Sequence, residues 1–195
     1  MQAMPDRASF LRATRRESLF GAAAVLSAGA VALLAGRDSL AQAAKLTQAQ
    51  LDADVRILNT ALGAEREAVA AYQLGAESGL LGAGAKTIAL QFQGHHKAHA
   101  DVLAGTIRKL GGRAADAPAR YDFPTDKLKA EADVLRFATG LERGAVSAYV
   151  QAVPLFHDRA LAHAAATILG DEAMHWAVFR QVLGEQPVVP AAFVG

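Results

Sequence analysis

Apolar residues recur every three or four positions along four stretches of the chain, and no stretch keeps the period of two that a half-buried strand needs. The spacing predicts four helices. The first covers about 47–79, with Thr47 as N-cap, a stripe of Val55, Leu58, Leu62, Val69 and Tyr72, and a stop at Gly79. The second covers about 84–110, with Ile88, Phe92, Leu103, Ile107 and Leu110 inward and Gly111-Gly112 at its end. The third covers about 127–153, carries Leu135, Ala138, Ala145, Tyr149 and Ala152, and stops before Pro154. The fourth runs from about Asp158 to Gly184 with Leu161, Ala165, Ile168, Phe179 and Val182 inward.

Short joins make helices one and two, and three and four, antiparallel hairpins. The join from 111 to about 126 holds Pro118 and Pro124 and is long enough to run the length of a helix. The expected fold is therefore an all-α four-helix bundle, two antiparallel hairpins joined by one long crossover. The tail Gln186-Pro187-Val188-Val189-Pro190 is expected to lie extended against the bundle.

The first 43 residues read differently. Arg7, Arg12, Arg15 and Arg16 precede an apolar run from Phe20 to Gly36, and Ala41-Gln42-Ala43 offers a small-x-small cleavage pattern. Thr14-Arg15-Arg16-Glu17-Ser18-Leu19 resembles a twin-arginine export signal, with Ser18 where Phe is usual. The run is about 17 residues, at the low edge of what spans a bilayer, so a retained membrane anchor is the weaker reading. The expected division is a signal peptide over 1–43 and a bundle domain over 44–195, delivered to the periplasm with no stable membrane span.

Of 195 residues, 52% are apolar, 20 are basic, 19 acidic and none is cysteine. Cysteine zinc sites, iron–sulfur clusters, thiol catalysis and disulfides are excluded. Removing residues 1–43 takes five basic residues (Arg7, Arg12, Arg15, Arg16, Arg37) and three acidic ones (Asp6, Glu17, Asp38), which leaves a net charge of about −1. Neither form has the basic field that nucleic-acid binding requires.

The chain also repeats itself. Glu65-Arg66-Glu67-Ala68-Val69-Ala70-Ala71-Tyr72 matches Glu142-Arg143-Gly144-Ala145-Val146-Ser147-Ala148-Tyr149 at an offset of 77, and Gly94-His95-His96-Lys97-Ala98-His99 falls on Gly170-Asp171-Glu172-Ala173-Met174-His175 at 76. Each hairpin copies the other, so the bundle is expected to have an approximate two-fold axis. Glu65, Glu142, Glu172 and His175 fall on core stripes, where an unpaired carboxylate costs several kcal/mol. A metal pair is the simplest compensation: in Glu-x-x-His the i and i+3 side chains share a helix face and offer an oxygen and a nitrogen to one centre.

With these motifs in place, the segment from about 47 to 184 resembles the ferritin-like superfamily, in particular exported ferritin-like proteins related to bacterioferritin, rubrerythrin and desiccation-related proteins. The resemblance implies a ferritin-like bundle in which Glu65 and Glu142 are terminal carboxylates, His99 and His175 imidazole ligands, and Glu172 a bridging carboxylate. Tyr72 and Tyr149 become neighbours of the site. It also implies two divalent metal ions, iron first, and an Fe(II) oxidation by dioxygen or peroxide; manganese or zinc becomes a competitor only through the departure at His96.

One residue departs from that pattern. His96 stands where the family has its other bridging Glu, so three carboxylates rather than four face the cations. Either Glu172 bridges alone, or one metal is held firmly and the second poorly. His95 and His99 are also neighbours at i and i+4; the register of Phe92 and Leu103 favours His96 inward, and His96 joins the candidate ligand set. Glu67, Glu77, His157 and His163 read as surface residues, and Met174 and Trp176 as packing residues. The rival function is a non-catalytic stress or desiccation-related bundle with a degenerate or single-metal site. Expected partners are metal ions and small oxidants, with a homo-oligomer left open.

Overall fold

A computed structural model describes residues 46–189; the proposed signal peptide lies outside them. Among the described residues there are four long helices and no strand: α1 (Gln48–Glu77), α2 (Ala83–Lys109), α3 (Glu131–Ala152) and α4 (Arg159–Val182). Helix boundaries follow local chemistry. Thr47 caps α1 in a capping box with Gln50, and Asp158 caps α4 by accepting from the Ala160 N–H at 2.7 Å. Gly79, Gly111 and Gly184, just beyond the ends of α1, α2 and α4, adopt φ of 72°, 82° and 70°, a left-handed conformation that glycine takes without a Cβ clash.

The hairpins α1–α2 and α3–α4 pack with α1 against α3 and α2 against α4. Two apolar clusters fill the interior. One is built around Leu58, Leu62, Leu103, Ile107 and Ile168, and the other around Tyr72, Phe92, Leu135 and Phe179. The crossover leaves the foot of α2, where Gly112 lies against Val55 and a Cβ would meet Val55 Cγ1 at 2.7 Å. It then follows α1. Asn59 Nδ2 donates to the Arg113 carbonyl at 3.1 Å, the Ala115 N–H donates to Asn59 Oδ1 at 2.7 Å, and Arg66 donates to the Ala115 carbonyl. At the far end the Gly82 N–H donates to Glu131, which ties the α1–α2 turn to the start of α3.

Several expectations change in detail. The third helix starts at Glu131 rather than near 127, because Thr125–Lys127 forms a separate 3₁₀ turn after Pro124 and Leu128 is extended. Asp133 Oδ2 accepts from the Lys129 and Ala130 N–H groups and fixes the new start. Val182 is 41% exposed and Leu183 packs on the core instead, since the chain tightens into a turn at the end of α4. Ala68 is buried and Val69 only half-buried. Residues 186–189 bend rather than run straight; Arg180 donates to the Pro187 carbonyl at 2.9 Å while Val189 stays exposed.

Candidate metal centre

Helical periodicity brings the repeated motifs to one level of the bundle. Glu65 from α1, His96 and His99 from α2, Glu142 from α3, and Glu172 and His175 from α4 are all buried, none more than 3% exposed. The i, i+3 spacing stacks His96 with His99 and Glu172 with His175 on the inward faces of their helices. These six side chains form two overlapping groups. Ligand atoms of Glu65, His96, His99 and Glu172 lie within 4.8 Å of one another, as do those of His96, Glu142, Glu172 and His175.

Glu172 stands at the junction. Its Oε1 is 3.1 Å from His99 Nδ1 and its Oε2 is 3.5 Å from His175 Nδ1, so the two oxygens face different halves. His96 is the other shared residue: Nδ1 lies 2.8 Å from Glu65 Oε2 and Nε2 3.1 Å from Glu142 Oε1. His96 is thus the inward residue of the His95–His96 pair. His95 is not turned away, however. It is half-buried, with Nδ1 2.9 Å from His175 Nε2 and the two rings edge to edge, their planes 29° apart.

Each terminal carboxylate is also held by a tyrosine of the opposite hairpin. Tyr149 donates to Glu65 Oε1 at 2.7 Å, and Tyr72 donates to Glu142 Oε1. Asp171, which the sequence analysis did not single out, is buried with Oδ2 3.2 Å from His99 Nε2. The internal repeat held the signal, because Asp171 falls on His95 and both precede their helix's ligating histidine by four residues.

Without a cation, protons balance the cluster. Burial alone would raise Glu65, but the hydrogen bond from His96 and the His99 imidazole 3.5 Å away overcome it and hold the carboxyl at about 2. Burial likewise opposes the lowering of Glu142, which His175 and His96 pull below the usual carboxylate range. Burial would lower the imidazoles, yet His96 rises to about 10 on its bonds to Glu142 and Glu65, and His99 to about 12 on Asp171, Glu172 and Glu65. His175 rises for the same reason, beside Glu142 and Glu172. Glu172 moves up, through burial and the Glu65 charge.

The donor set fits a divalent cation of the iron, manganese or zinc class, with carboxylate oxygens and imidazole nitrogens converging. The orphaned atoms point the same way: His99 Nδ1 and both oxygens of Glu172 are buried and make no hydrogen bond. A groove between α1 and α3, open to solvent, reaches Glu65 and His96 past Ala64, Ala68, Gly144 and Ala148. Away from the centre, Glu67, Glu77, His157 and His163 are exposed as expected. Met174 is 45% exposed and does not pack in the core, because it points away from the His175 face. Trp176 is half-buried, with the Arg180 guanidinium 5.6 Å from its ring centroid.

The sequence profile of the ferritin-like domain family matches residues 53–185. Among solved structures, a conserved hypothetical protein from Mycobacterium tuberculosis superposes with a TM-score of 0.64 at 25% identity, over 74% of this chain and 99% of that one. A protein from Bacillus anthracis str. Ames, described as ferritin like and diiron-carboxylate, superposes with a TM-score of 0.61 at 19% identity, over 71% of this chain and 99% of that one. The latter likeness bears on the fold. No curated protein matches the sequence.

Proposed function

Since the chain belongs to the ferritin-like domain family, we propose that it is a periplasmic metal-binding protein whose buried cluster takes up two Fe(II) ions and oxidises them with dioxygen or peroxide. The carrying observation is Glu172, whose two buried oxygens lack hydrogen bonds and face separate Glu–His pairs. Such a carboxylate is placed to serve two cations at once.

Glu65 with His99 would hold one cation and Glu142 with His175 the other. Tyr149 and Tyr72 keep the terminal carboxylates aimed inward, and the α1–α3 groove gives ions and a small oxidant a way in. Each ferrous ion supplies one electron; dioxygen that accepts two of them, with two protons, leaves as hydrogen peroxide. The diiron-carboxylate description of the Bacillus anthracis protein supports iron over zinc or manganese. The Arg15-Arg16 pair supports export by the twin-arginine route, which carries folded proteins and suits a cluster loaded beforehand. Among the described residues no helix is long and apolar enough to cross a membrane.

Anaerobic addition of two ferrous equivalents followed by air tests the oxidase activity. Oxygen uptake above that of iron alone, lost in the Glu142→Gln variant, is expected; uptake equal to the iron-only control rejects it. His96 favours a second reading. Its imidazole links Glu65 and Glu142 without a metal, as a non-catalytic stress protein with a polar core would need. On that reading a Glu65→Ala, Glu142→Ala double variant loses stability while its cellular role persists.

A further inference from the structure

The two halves of the cluster differ most in the chemistry of what stands behind the histidine. His99 and His175 both turn Nδ1 toward Glu172, at 3.1 and 3.5 Å, and both turn Nε2 to a residue of the opposite helix. For His99 that residue is Asp171, with Oδ2 at 3.2 Å; for His175 it is His95, with Nδ1 at 2.9 Å. The two outer partners are themselves related by the internal repeat at an offset of 76.

Their chemistry differs. A carboxylate only accepts, so Asp171 keeps the proton of a neutral His99 on Nε2, leaves the Nδ1 lone pair free for a cation, and adds a negative charge behind the ring. Neutral His95 presents at Nδ1 either a lone pair or an N–H, according to its tautomer. Only the lone pair orients His175 for binding. The N–H form sends the His175 proton to Nδ1, where it blocks the cation, and neither form contributes charge.

We propose that the two positions are unequal by construction: the Glu65–His99 half, backed by Asp171, takes a divalent cation first and tightly, and the Glu142–His175 half, backed by His95, takes the second weakly. Asp171 and His95 are positioning residues that act through the imidazoles. The inference rests on the metal-binding reading above and goes beyond it by ordering the two positions.

Titration of the metal-free full chain with cobalt(II), followed by visible absorption and calorimetry, tests it without any turnover. The wild type is expected to bind in two steps at least about 10-fold apart in affinity. Asp171→Asn, which keeps the shape and removes the charge, weakens the first step about 10- to 100-fold, the usual effect of losing an outer partner of a ligating histidine. His95→Asp strengthens the second step by a similar factor and brings the two together, and it decides the matter should Asp171→Asn fail to fold. Two equal steps in the wild type, or a second step unmoved by His95→Asp, would overturn the ordering while leaving metal binding intact. An absence of cobalt binding to the wild type would remove the metal-binding reading itself.

Discussion

Tyr149 of α3 donates a hydrogen bond of 2.7 Å to Glu65 of α1, seven residues from Glu142 on its own helix. Tyr72, seven residues from Glu65, returns the contact by donating to Glu142. An antiparallel crossing of two segments with the same Glu-x₆-Tyr spacing produces this exchange, so the repeat in the sequence and the site in the bundle have one cause.

Loss of either hydroxyl should therefore weaken the fold at the centre. Tyr149→Phe removes a buried bond to an ionised carboxylate, worth about 1.5–3 kcal/mol. The shift should appear in the midpoint of chemical denaturation of the metal-free chain, with Tyr72→Phe giving a loss of similar size. A midpoint within error of the wild type for both variants would show that the exchange contributes nothing.

Stability of the metal-free chain should peak in mildly acidic solution. Glu65 is lowered from 4.5 to about 2, so its contribution is complete above pH 4.5 and is lost as pH falls toward 2. His96 and His99 are raised from 6.5 to about 10 and 12, so theirs is complete below pH 6.5 and declines as pH rises toward those values. Glu172, raised by burial and Glu65, adds a loss as pH climbs past 4.5. Denaturation in the presence of a chelator should give its highest midpoint between pH 4.5 and 6.5. Metal affinity should run the other way above that window, because a cation must displace the imidazolium protons. A chelated chain that gains stability from pH 7 to pH 9 would contradict the assignment.

Asp54 should matter far more than its place on α1 suggests. Fully buried, it accepts from the backbone N–H groups of His157 and Asp158, both at 2.9 Å, and so anchors the start of α4. Asp54→Ala leaves two backbone donors without a partner and is expected to cost about 2–4 kcal/mol, read as a lowered melting temperature. Asp54→Asn, which retains an acceptor, should recover part of the loss.

The fold was legible because its signals are local. Thr47, Gly79, Gly111 and Gly184 mark helix ends by cap chemistry, and the apolar spacing marks the inward faces. The six central residues stood out because charge on a core stripe is costly and because a repeat doubles the signal. Asp54 and Asp171 escaped notice for a physical reason: each is buried by a partner distant in sequence, Asp54 by the start of α4 and Asp171 by His99 of α2. His95 was ambiguous because residues at i and i+1 both lie near the inward face of a helix. The bundle uses both, His96 within the cluster and His95 behind His175. Met174 and Val182 were misplaced since an apolar side chain on a mostly buried helix says little about which edge it occupies.

The proposed chemistry requires cations to bind between Glu65, His99, Glu172, His175 and Glu142. Diffraction from crystals grown anaerobically with Fe(II), recorded at the iron absorption edge, tests this directly. The predicted result is an anomalous peak between Glu65, His99 and Glu172, with a second and weaker one between Glu142, His175 and Glu172. A map with no anomalous density among these residues, their carboxylates and imidazoles still bonded to one another, would contradict it.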